Sequence, residues 1–96
     1  MKRQGDLLIV KVSDIPARAI VNPHRVLAEG EKTGHRHELS AGTVYQSRNR
    51  LFFQVPEGPE VTLLHPEHEK ITFTPGIYRV IRQREYQPGG WKYAAD

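Results

Sequence analysis

No stretch of this chain repeats apolar residues at helical spacing over the length of a helix, and this excludes most folds open to 96 residues. Short strand-like runs recur instead, cut apart by eight glycines and seven prolines. Proline removes the N–H that a helix interior or a central strand needs, and glycine supplies the backbone freedom of turns. Residues 6–12 (Asp-Leu-Leu-Ile-Val-Lys-Val) are apolar and β-branched and read as a first strand. Residues 25–28, 35–39, 43–46, 51–55, 61–64, 70–74 and 77–86 read as further strands, and 91–94 as a short last one. Residues 17–22 are ambiguous. Ser47-Arg48-Asn49-Arg50 reads as a hairpin turn in which Asn49 is suited to positive φ, and Pro75-Gly76 as a type II turn between its flanking runs. About eight short strands predict an all-β fold, a small β-sandwich or barrel, with residues 1–96 as one domain.

Composition narrows the class. Apolar content of 38% and charged content of 26% suit a folded, soluble domain with a modest core, the kind that gains stability from a metal or from oligomerisation. The chain has no cysteine, which excludes disulfides and thiolate zinc sites and fits a reducing cytoplasm. The first apolar run, residues 7–10, is too short for a secretory signal or a membrane span. A cytoplasmic protein with no membrane partner is expected. The net charge of +3 permits contact with nucleic acid without requiring it.

Four of the five histidines fall into two tight groups, Gly34-His35-Arg36-His37-Glu38 and Leu64-His65-Pro66-Glu67-His68, while His24 stands alone. Side chains at i and i+2 of a strand share a face, with Cα atoms roughly 6.5–7 Å apart. His35 and His37 can therefore converge on one ion, at about 2.0–2.1 Å per nitrogen for zinc. His65 and His68 are the ends of a turn favoured by Pro66, and such ends lie within about 7 Å. Without thiolates, imidazole and carboxylate are the donors available to a transition metal. Zinc is the default cofactor, with nickel, iron or manganese open. Glu38 alternates away from the histidine face. Glu67 sits inside the turn, as a partner of a ligand, a general base or a solvated carboxylate. Glu67 or Glu31 is the candidate base if an open coordination position supports metal-assisted hydrolysis. Isolated surface histidines are the plainer alternative, and spacing alone leaves open whether the two pairs meet.

The H-x-H on a strand is similar to the first motif of cupins. Cupins place a glutamate a few residues after the second histidine, whereas residues 40–45 contain none and Glu38 comes too early, so this resemblance covers one motif. A longer resemblance runs through Arg3-Gln4-Gly5-Asp6, the block 30–37 (Gly-Glu-Lys-Thr-Gly-His-Arg-His), His65-Pro66-Glu67-His68 and the block 76–86 (Gly-Ile-Tyr-Arg-Val-Ile-Arg-Gln-Arg-Glu-Tyr). These blocks, in this order, look like a family of small uncharacterised bacterial and phage proteins. That resemblance brings no activity with it. It implies that the two histidine blocks belong to one design.

Residues 78–86 alternate Tyr78, Val80, Arg82, Arg84 and Tyr86 on one face with Arg79, Ile81, Gln83 and Glu85 on the other. Arginines between tyrosines suit nucleic-acid contact, so Arg79, Arg82 and Arg84 are candidate contacts. Pairing of the arginines within the sheet, their stems covering apolar neighbours, is the preferred reading. No phosphate loop or recognised RNA-binding motif is present. The leading expectation is a metal-binding β protein using His35, His37, His65 and His68. The alternative is a binding or assembly module without metal, either nucleic-acid-binding or a phage-type homo-oligomer. A homo-oligomer is expected in either case, with residues 91–94 or the first strand at the interface.

Overall fold

The computed structural model describes residues 1–29 and 34–82. Ten strands run through them: β1 (Lys2–Gln4), β2 (Leu7–Val12), β3 (Ile20–Val21), β4 (Val26–Glu29), β5 (Arg36–Leu39), β6 (Thr43–Ser47), β7 (Arg50–Val55), β8 (Val61–Leu64), β9 (Ile71–Phe73) and β10 (Gly76–Arg82). The fold is all-β and sandwich-like. One antiparallel sheet has the order β1-β2-β10-β7-β6-β3 and the other β4-β5-β8-β9. No helix among the described residues is long and apolar enough to cross a membrane.

Chain-adjacent hairpins stay within one sheet, and the links between them cross to the other. β1–β2 and β6–β7 lie in the larger sheet, β4–β5 and β8–β9 in the smaller. Pro75-Gly76, expected as a type II turn, joins β9 and β10 of different sheets. Gly76 starts β10, at φ +152°, and pairs with Val55. In the β6–β7 hairpin, Ser47 faces Arg50 across a two-residue loop whose positive φ falls on Arg48 (57°) and not on Asn49. The expected eight strands become ten because β1 and β3 are too short to carry an alternation of their own. Residues 83–86 of the expected long strand, and the expected strand 91–94, lie outside the described residues.

The inner faces interdigitate. The larger sheet contributes Leu7, Ile9, Val44, Phe53, Val55, Tyr78 and Val80; the smaller contributes Leu27, Ala28, Leu39, Val61, Leu63 and Phe73. Burying such side chains contributes about 1.5–3 kcal/mol each for the larger ones. Phe53, Phe73 and Tyr78 form an aromatic trio with centroids 5.1–5.2 Å apart, joining β7 and β10 to β9. The Tyr78 hydroxyl donates to the Thr74 carbonyl at 2.7 Å, so its polar end is satisfied. A register shift between Val26 and Ala28 turns two consecutive residues, Leu27 and Ala28, towards the core. Outside the histidine segments, the buried polar residues among those described are Gln4 and Asp6, at the β1–β2 hairpin.

Candidate metal centre

Strand pairing brings the two histidine groups together. β5 and β8 pair antiparallel, with Leu39 facing Leu63 and Glu38 facing Leu64. One step further along the same register sets His65 beside His37, and their ring centroids are 4.3 Å apart. His65 also lies 4.4 Å from His68 and 5.8 Å from His35, while His37 and His68 are 6.0 Å apart. Imidazoles sharing a tetrahedral ion at about 2.0–2.1 Å per nitrogen have centroids roughly 5 Å apart, so the spacing is on that scale. Among the described residues, no group of three or more histidine or carboxylate side chains has its donor atoms gathered as they stand to hold an ion.

Burial follows the strand alternation. In β5, Arg36 and Glu38 are exposed while His37 and Leu39 are buried. His37 is 2% exposed and His65 8%. His35 shares the parity of His37 but lies at the strand's open end, where its side chain is 36% exposed. His24 stands apart on the surface, its Nδ1 accepting from the Val26 N–H at 3.3 Å.

The supports of the cluster come from two places. Glu67 serves two histidines at once. Its backbone N–H donates to His65 Nδ1 at 3.0 Å, and its carboxylate stands 2.5 Å from His35 Nδ1. The other support is the tip of the β1–β2 hairpin, which belongs to the larger sheet. Gln4 donates its amide hydrogens to the Leu63 carbonyl at 3.0 Å and the Glu69 carbonyl at 2.8 Å. These two bonds fix the amide, so Oε1 must be the atom 2.8 Å from His37 Nδ1. That oxygen only accepts, and His37 Nδ1 therefore carries a proton. Gln4 thus grips the His65–His68 loop at both ends and orients His37. Next to it, Gly5 (φ +58°) leaves the room that the rings occupy: a Cβ there would stand 2.9 Å from His68 Nε2 and 3.2 Å from His37 Cε1. Neither Gln4 nor Gly5 stood out chemically in the sequence. The only signal was the Arg3-Gln4-Gly5-Asp6 block itself.

An open depression of about 510 Å³ adjoins the cluster, lined by His35, His65, Arg36, Glu38, Leu64 and Pro66 among others. Arg36 pairs with Glu29 at 3.1 Å on its rim. Glu31, the other candidate base, lies outside the described residues, as does Arg84.

The remaining arginine candidates do not form one face. Arg79 pairs with Val10 and Phe52 on the outer side of the larger sheet, whereas Arg82 has the opposite parity, that of core residues Tyr78 and Val80. Arg82 donates to the buried Asp6 carboxylate at 3.3 Å. Tyr78, one of the two tyrosines that flank these arginines in the sequence, is packed into the aromatic trio.

Comparison with curated proteins and with solved structures finds no match. A family model does match, over residues 3–83, a span that takes in Gln4, Gly5 and all four clustered histidines. The chain belongs to the family described as Domain of unknown function (DUF8820).

Proposed function

We propose that the histidine cluster binds one divalent transition-metal ion, with zinc as the default occupant. The observation that supports this reading is that the two histidine groups meet, with His65 5.8 Å from His35, 4.3 Å from His37 and 4.4 Å from His68 between ring centroids. Packing four imidazoles together contributes little to a core, since each carries polar nitrogens that need partners. The placement of partners on Nδ1 of His37 and His35 supports the same reading, because ligating imidazoles are commonly oriented through the nitrogen that does not bind. The nitrogen and oxygen donors here also suit nickel, iron or manganese. The depression beside His35 and His65 gives a small ligand or water a route to the ion. A bound ion could polarise that ligand or activate that water, which is the basis for a hydrolytic role.

Elemental analysis of the chain purified without a histidine tag tests the reading. One transition-metal ion per chain is expected. The double variants His35→Ala/His37→Ala and His65→Ala/His68→Ala should each lose it. Metal-free wild-type protein that also refuses added zinc, or full affinity in either double variant, would overturn the shared site.

A further inference from the structure

Resting on that metal reading, we propose that the four histidines divide three to one. His35, His37 and His68 offer Nε2 lone pairs to the ion, while His65 donates an Nε2–H hydrogen bond to a small oxyanion held at the ion's remaining position. The division follows from the chemistry of each ring's partner. The Glu67 carboxylate stands beside His35 Nδ1 and can only accept, which favours the proton on that nitrogen and leaves Nε2 to the ion. The Gln4 carbonyl does the same for His37. His68 Nε2 is buried with no hydrogen-bond partner among the described residues, close under Gly5.

His65 is the reverse case. The Glu67 backbone N–H can only donate, so His65 Nδ1 holds the lone pair. A neutral imidazole carries one proton, which then sits on Nε2, and a protonated nitrogen cannot coordinate. Turning the ring over would forfeit a bond made within the turn, whose ends Gln4 holds at the Leu63 and Glu69 carbonyls. His65 is also the ring nearest to both His37 and His68, and it lines the depression. A ligand entering there meets its N–H on the way to the ion. An oxyanion fits both tasks, since its oxygens coordinate a cation and accept a hydrogen bond.

The test uses the untagged full chain with cobalt(II) as the spectroscopic probe ion and acetate as the probe oxyanion. Wild type should bind one cobalt ion and change its visible spectrum on adding acetate. His65→Gln and His65→Ala should keep cobalt affinity to within about tenfold. His37→Ala and His68→Ala should each lose more than about a hundredfold. Acetate affinity should fall about tenfold or more in His65→Ala and be largely kept in His65→Gln, whose amide retains a donor. If both His65 variants lose cobalt as His37→Ala does, His65 is a ligand and this inference fails while the metal reading stands. Retained cobalt with unchanged acetate affinity in His65→Ala also overturns the donor role. Wild type that takes up no cobalt overturns both.

Discussion

Gln4 makes three hydrogen bonds from a position 3% exposed, tying β1 to the carbonyls of Leu63 and Glu69 and to the ring of His37. Gln4→Met keeps the length of the side chain and removes every one of these bonds. A loss of about 1–3 kcal/mol is expected, because buried carbonyls and a ring nitrogen are left unpaired. Urea denaturation measures it, and an unchanged midpoint would show that the loop is held by other means. Gly5→Ala combines a left-handed φ with a Cβ pressed against His68, so it should lower stability by about 1–2 kcal/mol and weaken metal affinity as well. Arg48→Gly should act in the opposite sense. It relieves a non-glycine residue at φ 57° and should raise the urea midpoint by the equivalent of up to about 1 kcal/mol. The local spacing of the histidines was legible in the sequence, since i, i+2 and turn geometry are local rules. The roles of Gln4 and Gly5 were not, because each acts on residues more than thirty positions away.

At the scale of elements, β5 and the β8–β9 connection form the unit that carries the histidines. Metal should therefore couple to the stability of this unit and, through the shared core, to the whole domain. At a free concentration a hundredfold above Kd, a ligand of the folded state alone stabilises by about 2.7 kcal/mol. For a domain of this size that raises the melting temperature by roughly 10–20 °C. The sign of the pH dependence follows from competition. Imidazole binds metal only when neutral, so protons displace the ion as pH falls below the ordinary imidazole value of about 6.5. The zinc-induced rise in melting temperature should be full at pH 7.5 and nearly absent at pH 5, as read by scanning calorimetry with and without a chelator. An equal rise at both pH values would exclude imidazole ligation. The extents of β6, β7 and β8 were close to what alternation and turn residues indicated. The division into two sheets was hidden, because a turn at Pro75-Gly76 does not say that β9 and β10 pair with the distant β8 and β7 and not with each other.

Across the whole molecule, the sheet edges are treated unequally. β1 carries exposed Lys2 and Arg3, and Lys2 reaches across to the Thr72 carbonyl at 2.7 Å, tying the β1 edge to β9 of the other sheet. β3, at the opposite edge, presents Ile20 at 71% and Val21 at 55% exposure, with nothing charged between them. Lysine on an edge discourages pairing between molecules and bare β-branched residues invite it. Association at high micromolar concentration should therefore run through β3, and Ile20→Lys/Val21→Lys should give a monomer by light scattering. Association undiminished in that variant would move the interface elsewhere. The β1–β2 tip has a larger consequence. It comes from one sheet and leans on rings carried by the other, and an ion bridging His37 and His68 beneath it would act as a removable cross-link between β5 and the β8–β9 connection, in a chain that has no cysteine. Closing a loop of about thirty residues in the unfolded chain is worth about 3–4 kcal/mol in the chain-entropy description of disulfides. A chelator would then do to this protein what a reductant does to a secreted one, and amide exchange at Leu39 and Leu63 would quicken when it is added.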